Sequence, residues 1–145
     1  MYQTDKELNP IKDTGCYFVS IIYQADRITK IPSTYRDCLI GFGQALKLNY
    51  IDANCLCTNS AGIFKIFGLD VIQKKGANGI IMPKDYICAD NEIEILEYYE
   101  PRMGTHFVPG DGNGNIIKDV YSQAGSPVVK SGSLRSKRIF IVNKK

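Results

Sequence analysis

The hydrophobic period of this chain changes at Gly68, and that change limits the possible folds more than any other feature. Before Gly68, apolar residues recur at helical spacing; beyond it, they alternate or run in short blocks bounded by Gly, Pro and Asn. A helix is predicted over residues 16–25, where Val19, Ile22 and the ring of Tyr23 share a face with Phe18, Ile21 and Ala25 close by, and Asp13 or Thr14 is the expected cap of its first turn. A second helix follows Pro32-Ser33, with Ser33 as N-cap and Cys38, Leu39, Phe42, Ala45 and Leu46 as its apolar stripe, although Gly41 and Gly43 work against helix there. A third, short helix begins at Asn59 or Ser60, turns Ile63, Phe64 and Phe67 inward and stops at Gly68. Strands are expected over residues 70–73, 79–82, 92–99, 105–109, 115–120, 128–130 and 138–143. The run Gly110-Asp111-Gly112-Asn113-Gly114-Asn115 reads as a turn that pairs the strand carrying His106 with the strand carrying Asp119 in an antiparallel hairpin. The expected architecture is α+β in one domain over residues 1–145, helices first and a meandering antiparallel sheet after.

A chain of 145 residues can bury about two-thirds of its unfolded surface, so it needs neither disulfides nor a metal to fold. Its five cysteines, an odd number, therefore read as thiols in a reducing compartment. The amino terminus shows no apolar core behind a basic start, and no stretch is apolar and long enough to span a bilayer, so a cytoplasmic protein with no membrane segment is expected. The net charge of +3 is too small and too dispersed to predict nucleic-acid binding. Composition bounds the chemistry more tightly. There is one histidine, His106, and any mechanism that needs an imidazole must use it.

A thiol becomes a useful nucleophile when it is ionised, and a helix amino terminus favours negative charge through its unpaired N–H groups. Cys16 is expected at such an end. A nucleophile of this kind needs a base, for which His106 is the sole imidazole, and the base needs a third group to hold its ring. Asp119 lies 13 residues beyond His106, across the predicted hairpin.

Other features carry less chemistry. Cys55 and Cys57 are too closely spaced for the usual structural zinc pair, and neither Cys38 nor Cys88 completes a four-cysteine set, so no metal and no cofactor is expected. The Asp111–Asn115 run opens like a calcium loop but has Ile116 and Ser122 where that loop needs Gly and Glu. The basic close of the chain, Arg135, Lys137, Arg138, Lys144 and Lys145, reads as a solvated edge strand. Tyr86, Tyr98, Tyr99 and Tyr121, interleaved with Glu94, Glu97 and Glu100, read as a half-exposed strand.

The segment Ile11-Lys12-Asp13-Thr14-Gly15-Cys16-Tyr17-Phe18-Val19-Ser20 resembles the nucleophile helix of papain-like cysteine peptidases, nearest the bacteriocin-processing (double-glycine) peptidases and their bacterial and phage relatives. Gly104-Thr105-His106-Phe107-Val108, followed by the Gly/Asn turn and Asp119, looks like the histidine strand and aspartate of that superfamily. Gln3, in Tyr2-Gln3-Thr4-Asp5, matches the upstream glutamine that helps to form its oxyanion hole. Two departures stand out: Val120 replaces the proline that commonly follows the aspartate, and Tyr17-Phe18 replaces the small residues that often follow the cysteine. The Gly-Cys-Tyr-Phe string also looks like one in small proteins of bacterial plasmids and prophages. The resemblance implies a papain-like fold and a small cysteine hydrolase, a peptidase or amidase acting on peptide or protein, with Cys16, His106, Asp119 and Gln3 as its site. The rival expectation is a non-catalytic binding module of a phage or mobile element on the same fold.

Overall fold

The computed structural model describes residues 1–11 and 14–143. A short 3-10 segment, Lys6–Ile11, leads into α1 (Cys16–Thr29), α2 (Tyr35–Lys47) and α3 (Ser60–Ile66). There follow β1 (Val71–Gln73), β2 (Met82–Pro83), β3 (Glu92–Glu100), β4 (Gly104–Gly110), α4 (Pro127–Ser131) and β5 (Ser133–Val142). The class is α+β with helices first and an antiparallel sheet after.

Phe18, Val19, Ile21, Ile22 and Ala25 bury one side of α1 and make it the central helix. The Phe18 ring meets Phe42 of α2 and Phe67 beyond α3 edge-on, at 5.5 and 5.7 Å between centroids. Phe64 of α3 packs on Phe140 of β5 at 4.7 Å, joining helices to sheet. Gly41 belongs in α2 despite its low helix propensity, because a Cβ there would collide with the Phe67 ring. Packing outweighs propensity at that position.

The sheet is not a meander. Its order is β1-β5-β3-β4, with β2 also on β5, so the last strand inserts between the first and third. The closing segment is therefore no solvated edge: Lys137 is 1% exposed and Arg138 9%. Their charges are tolerated because β3 supplies buried carboxylates opposite them. Lys137 Nζ lies 2.8 Å from Glu94 Oε1 with both side chains out of solvent, and Glu97 faces Arg135 at 2.6 Å, Arg138 at 3.5 Å and the Ser136 hydroxyl. The half-exposed reading of the Tyr/Glu strand holds for Tyr98, Tyr99 and Glu100, which are half-buried, and fails for Glu94 and Glu97, since β3 is buried from Glu92 through Glu97. Lys144 and Lys145 lie outside the described residues.

Four further expectations change. Residues 115–120 form no strand beyond a single bridge from Ile116 to Gly110, because the chain then turns to the amino terminus: Gln3 N–H donates to Val120 O at 2.6 Å and Thr4 N–H to Tyr121 O at 3.0 Å. Residues 128–130 lie in α4, started by Ser126, whose hydroxyl accepts from Val128 N–H, and by Pro127 in the first turn. The cap of α2 is Thr34, in a reciprocal box with Asp37, while Ser33 donates its N–H and hydroxyl to Asp26 at the far end of α1. The strand predicted over 79–82 shrinks to Met82–Pro83, since Gly76 and Gly79 bridge each other in a tight turn. Among the described residues, no helix is long and apolar enough to cross a membrane.

Candidate active site

Cys16 is the first residue of α1. The residue before it must be small: a Cβ on Gly15 would stand 2.5 Å from the Ile11 carbonyl oxygen, the same oxygen that accepts the Gly15 N–H at 2.7 Å. Gly15 is the N-cap, and no side chain caps the helix. Of the two expected caps, Asp13 lies outside the described residues, and Thr14 turns its hydroxyl to the Cys55 thiol. The helix end that presents Cys16 is thus shaped by backbone contact.

His106 lies on β4, opposite Tyr98 of β3 and not opposite a strand bearing Asp119. The aspartate arrives instead on the irregular segment between the Gly/Asn turn and α4. His106 Nε2 donates to Asp119 Oδ1 at 3.1 Å. The carboxylate also accepts the Tyr121 N–H on Oδ1 at 3.1 Å and the Ser126 N–H on Oδ2 at 2.7 Å. Gly125, at φ +86°, makes the turn that delivers the Ser126 amide, and a Cβ there would press on the carboxylate at 3.4 Å. Asp119 is thereby fixed by three donors, two of them backbone.

Nε2 is committed to Asp119, and Cys16 lies close enough to the imidazole to act on it by hydrogen bonding and charge. Burial alone would lower the imidazole pKa; the hydrogen bonds and charges of Asp119 and Cys16 outweigh it and push the value up to about 9. Burial raises Asp119, but the bonds from His106, Ser126 and Tyr121 hold its carboxyl below the usual carboxylate range. The Tyr121 ring stands perpendicular to the imidazole at 5.8 Å and helps to keep water from the pair. His106 itself is 4% exposed.

The structure brings Cys16, His106 and Asp119 together in that order. Gln3 is buried, with its backbone bonded to the residue after Asp119. The other four thiols are of a different kind: burial raises all of them, Cys38 and Cys88 to about 12, and Cys88 further feels Glu94 and Glu92. Among the described residues, no group of three His, Cys, Asp or Glu side chains is placed to hold a metal ion. The Asp111 carboxylate accepts from the Asn113 and Asn115 amides, which makes the Gly/Asn run a self-bonded turn.

The supporting amides of Tyr121 and Ser126 escaped sequence reasoning because backbone donors leave no residue signature. Gly125 was the only available signal of them. Arg138 also adjoins this region, over the Phe107 ring at 5.5 Å, where the sequence suggested an exposed charge.

No curated protein and no solved structure matches the chain. A family model described as a protein of unknown function, DUF261, matches residues 1–142. With nearly its whole length matched, the chain belongs to the DUF261 family.

Proposed function

We propose that the protein is a small cysteine hydrolase, a peptidase or amidase of papain-like fold, acting on peptide or protein in a bacterial or phage setting. One observation carries the reading: the only imidazole of the chain is bonded to an anchored carboxylate and lies within the influence of a thiol at a helix amino terminus. The order of parts, a nucleophile-bearing helix packed on a sheet that carries the base, supports the papain-like assignment.

The chemistry follows from these groups. The Cys16 proton passes to His106, and the sulfur attacks the carbonyl carbon of an amide or ester. The carbonyl oxygen becomes an oxyanion, for which the Cys16 N–H and the Gln3 side chain are the proposed donors. His106 returns the proton to the departing amine or alcohol as the carbon–nitrogen or carbon–oxygen bond breaks, leaving a thioester. Water then attacks the thioester, giving its proton to His106, and Cys16 leaves with that proton restored. Asp119 keeps the ring oriented and favours the imidazolium that each half-reaction forms.

An activated ester tests this directly. p-Nitrophenyl acetate should release a rapid burst of about one equivalent of nitrophenolate with acetyl mass gained on Cys16, and Cys16→Ala should show no burst. Equal, burst-free release by wild type and Cys16→Ala would overturn the reading in favour of a non-catalytic module. Gln3→Ala should slow acylation by about 100- to 1000-fold if it is an oxyanion donor.

A further inference from the structure

A cavity of about 210 Å³ is walled by Tyr17 and Phe107, the residues that directly follow Cys16 and His106 in sequence. Their rings meet edge-on at 4.9 Å. At about 30 Å³ for a water in the liquid, the volume suits one amino-acid side chain and not a whole ligand. Leu56 and Ile80, 67% and 40% exposed, give it an apolar rim open to solvent.

The polar groups inside share one character. Tyr17 Oη and Ser60 Oγ are 2.8 Å apart, and Ser60 Oγ is 3.3 Å from Cys57 Sγ. Three X–H groups joined by two hydrogen bonds use two hydrogens, so one donor is left for an occupant. The fourth group is Arg138, 9% exposed. Its carboxylate partner, Glu97 at 3.5 Å, is shared with Arg135 at 2.6 Å and with the Ser136 hydroxyl, and the nearest partner of Arg138 is the neutral Ser136 hydroxyl at 2.9 Å. Two guanidinium groups to one carboxylate leave an excess positive charge at the cavity wall. Among the described residues, no carboxylate lines the cavity.

We infer that this cavity is a specificity pocket for an acidic side chain of a peptide substrate, with Arg138 and the Tyr17–Ser60 hydroxyl pair as its recognition groups. Leu56, Ile80 and Phe107 pack the methylenes, and the carboxylate meets the guanidinium. The inference rests on the cysteine-hydrolase reading for its use in catalysis, but not for its use in binding.

Two measurements separate those roles. Peptidyl acyloxymethyl ketones, with one position at a time set to Glu, Gln, Leu or Lys, alkylate an active cysteine, and the rate at Cys16 is read by mass spectrometry. The Glu probe should react about 10- to 100-fold faster than the Gln probe, the range expected of one charge-assisted hydrogen bond, with Lys slowest. Arg138→Met should erase the preference, so that the Glu and Gln probes react at similar rates, and Tyr17→Phe with Ser60→Ala, which leaves Glu97 paired, should reduce it. The second measurement is titration of the same peptides, as simple amides, into Cys16→Ala, where the Glu peptide should bind more tightly than the Gln peptide by a similar factor. Equal binding of Glu, Gln and Lys peptides to Cys16→Ala overturns the pocket. Selective binding to Cys16→Ala without any selective alkylation in the wild type upholds the pocket and overturns the catalytic reading.

Discussion

His106 is drawn toward its charged form by Asp119 and by Cys16, and this gives it a measurable signature. Because the chain has a single histidine, its imidazole carbon-bound protons give one isolated NMR titration. The midpoint should lie near pH 9 in the wild type and fall toward the ordinary histidine value of about 6.5 in Cys16→Ala and in Asp119→Asn. A midpoint unchanged by either substitution would mean that the partners do not act on the ring. The linkage has a definite sign. A folded pKa above the unfolded one means that the native state binds the proton more tightly, so the stability from His106 is complete below about pH 6.5 and is lost as the pH rises through about 9. Urea midpoints of the wild type relative to His106→Asn should therefore converge between those limits. Asp119 works in the opposite sense, since its lowered pKa contributes stability above its unfolded value that disappears as the solution is acidified.

At the scale of elements, β3 and β5 explain both what could be read from the sequence and what could not. The helices were legible because each declares its own apolar face locally: α1 and α3 begin where the spacing of Val19, Ile22, Ile63 and Phe64 places them. The sheet order was not, because Glu94 and Lys137 look like surface charges until a strand pairing some forty residues away brings them together. A fully buried ion pair is worth little against well-packed apolar residues, yet removing one partner strands a charge. Glu94 also accepts the Gly112 and Gly114 amides, and Lys137 donates to the Tyr86 carbonyl, so the pair ties the Gly/Asn turn and the 86–88 loop to the sheet. Lys137→Met should cost about 3–5 kcal/mol in urea unfolding. Adding Glu94→Gln should recover part of that loss, because the stranded charge is then gone. Strict additivity of the two changes would show that the pair is not coupled. The candidate triad divides in the same way. Cys16 and His106 were legible by residue type, whereas the pairing of Asp119 was expected through a hairpin and is achieved through a turn at Gly125 and the backbone of residues 121 and 126.

Over the whole molecule, the fold sorts five thiols into two kinds. Four are set in the core or near carboxylates and are raised by burial, while Cys16 alone stands at a helix start beside the imidazole. The family match spans residues 1–142, and Gln3, Cys16, His106, Asp119 and Arg138 all fall within it. The most direct test is the pH dependence of iodoacetamide labelling, resolved residue by residue by mass spectrometry, in the wild type and in His106→Ala. Cys16 should react at a pH where Cys38, Cys55, Cys57 and Cys88 in the same molecule stay unlabelled, and in His106→Ala its reactivity at that pH should drop by at least about tenfold. Labelling of all five thiols at one slow rate, or a Cys16 profile unchanged by loss of the imidazole, would contradict the central claim that Cys16, His106 and Asp119 act as one nucleophilic unit.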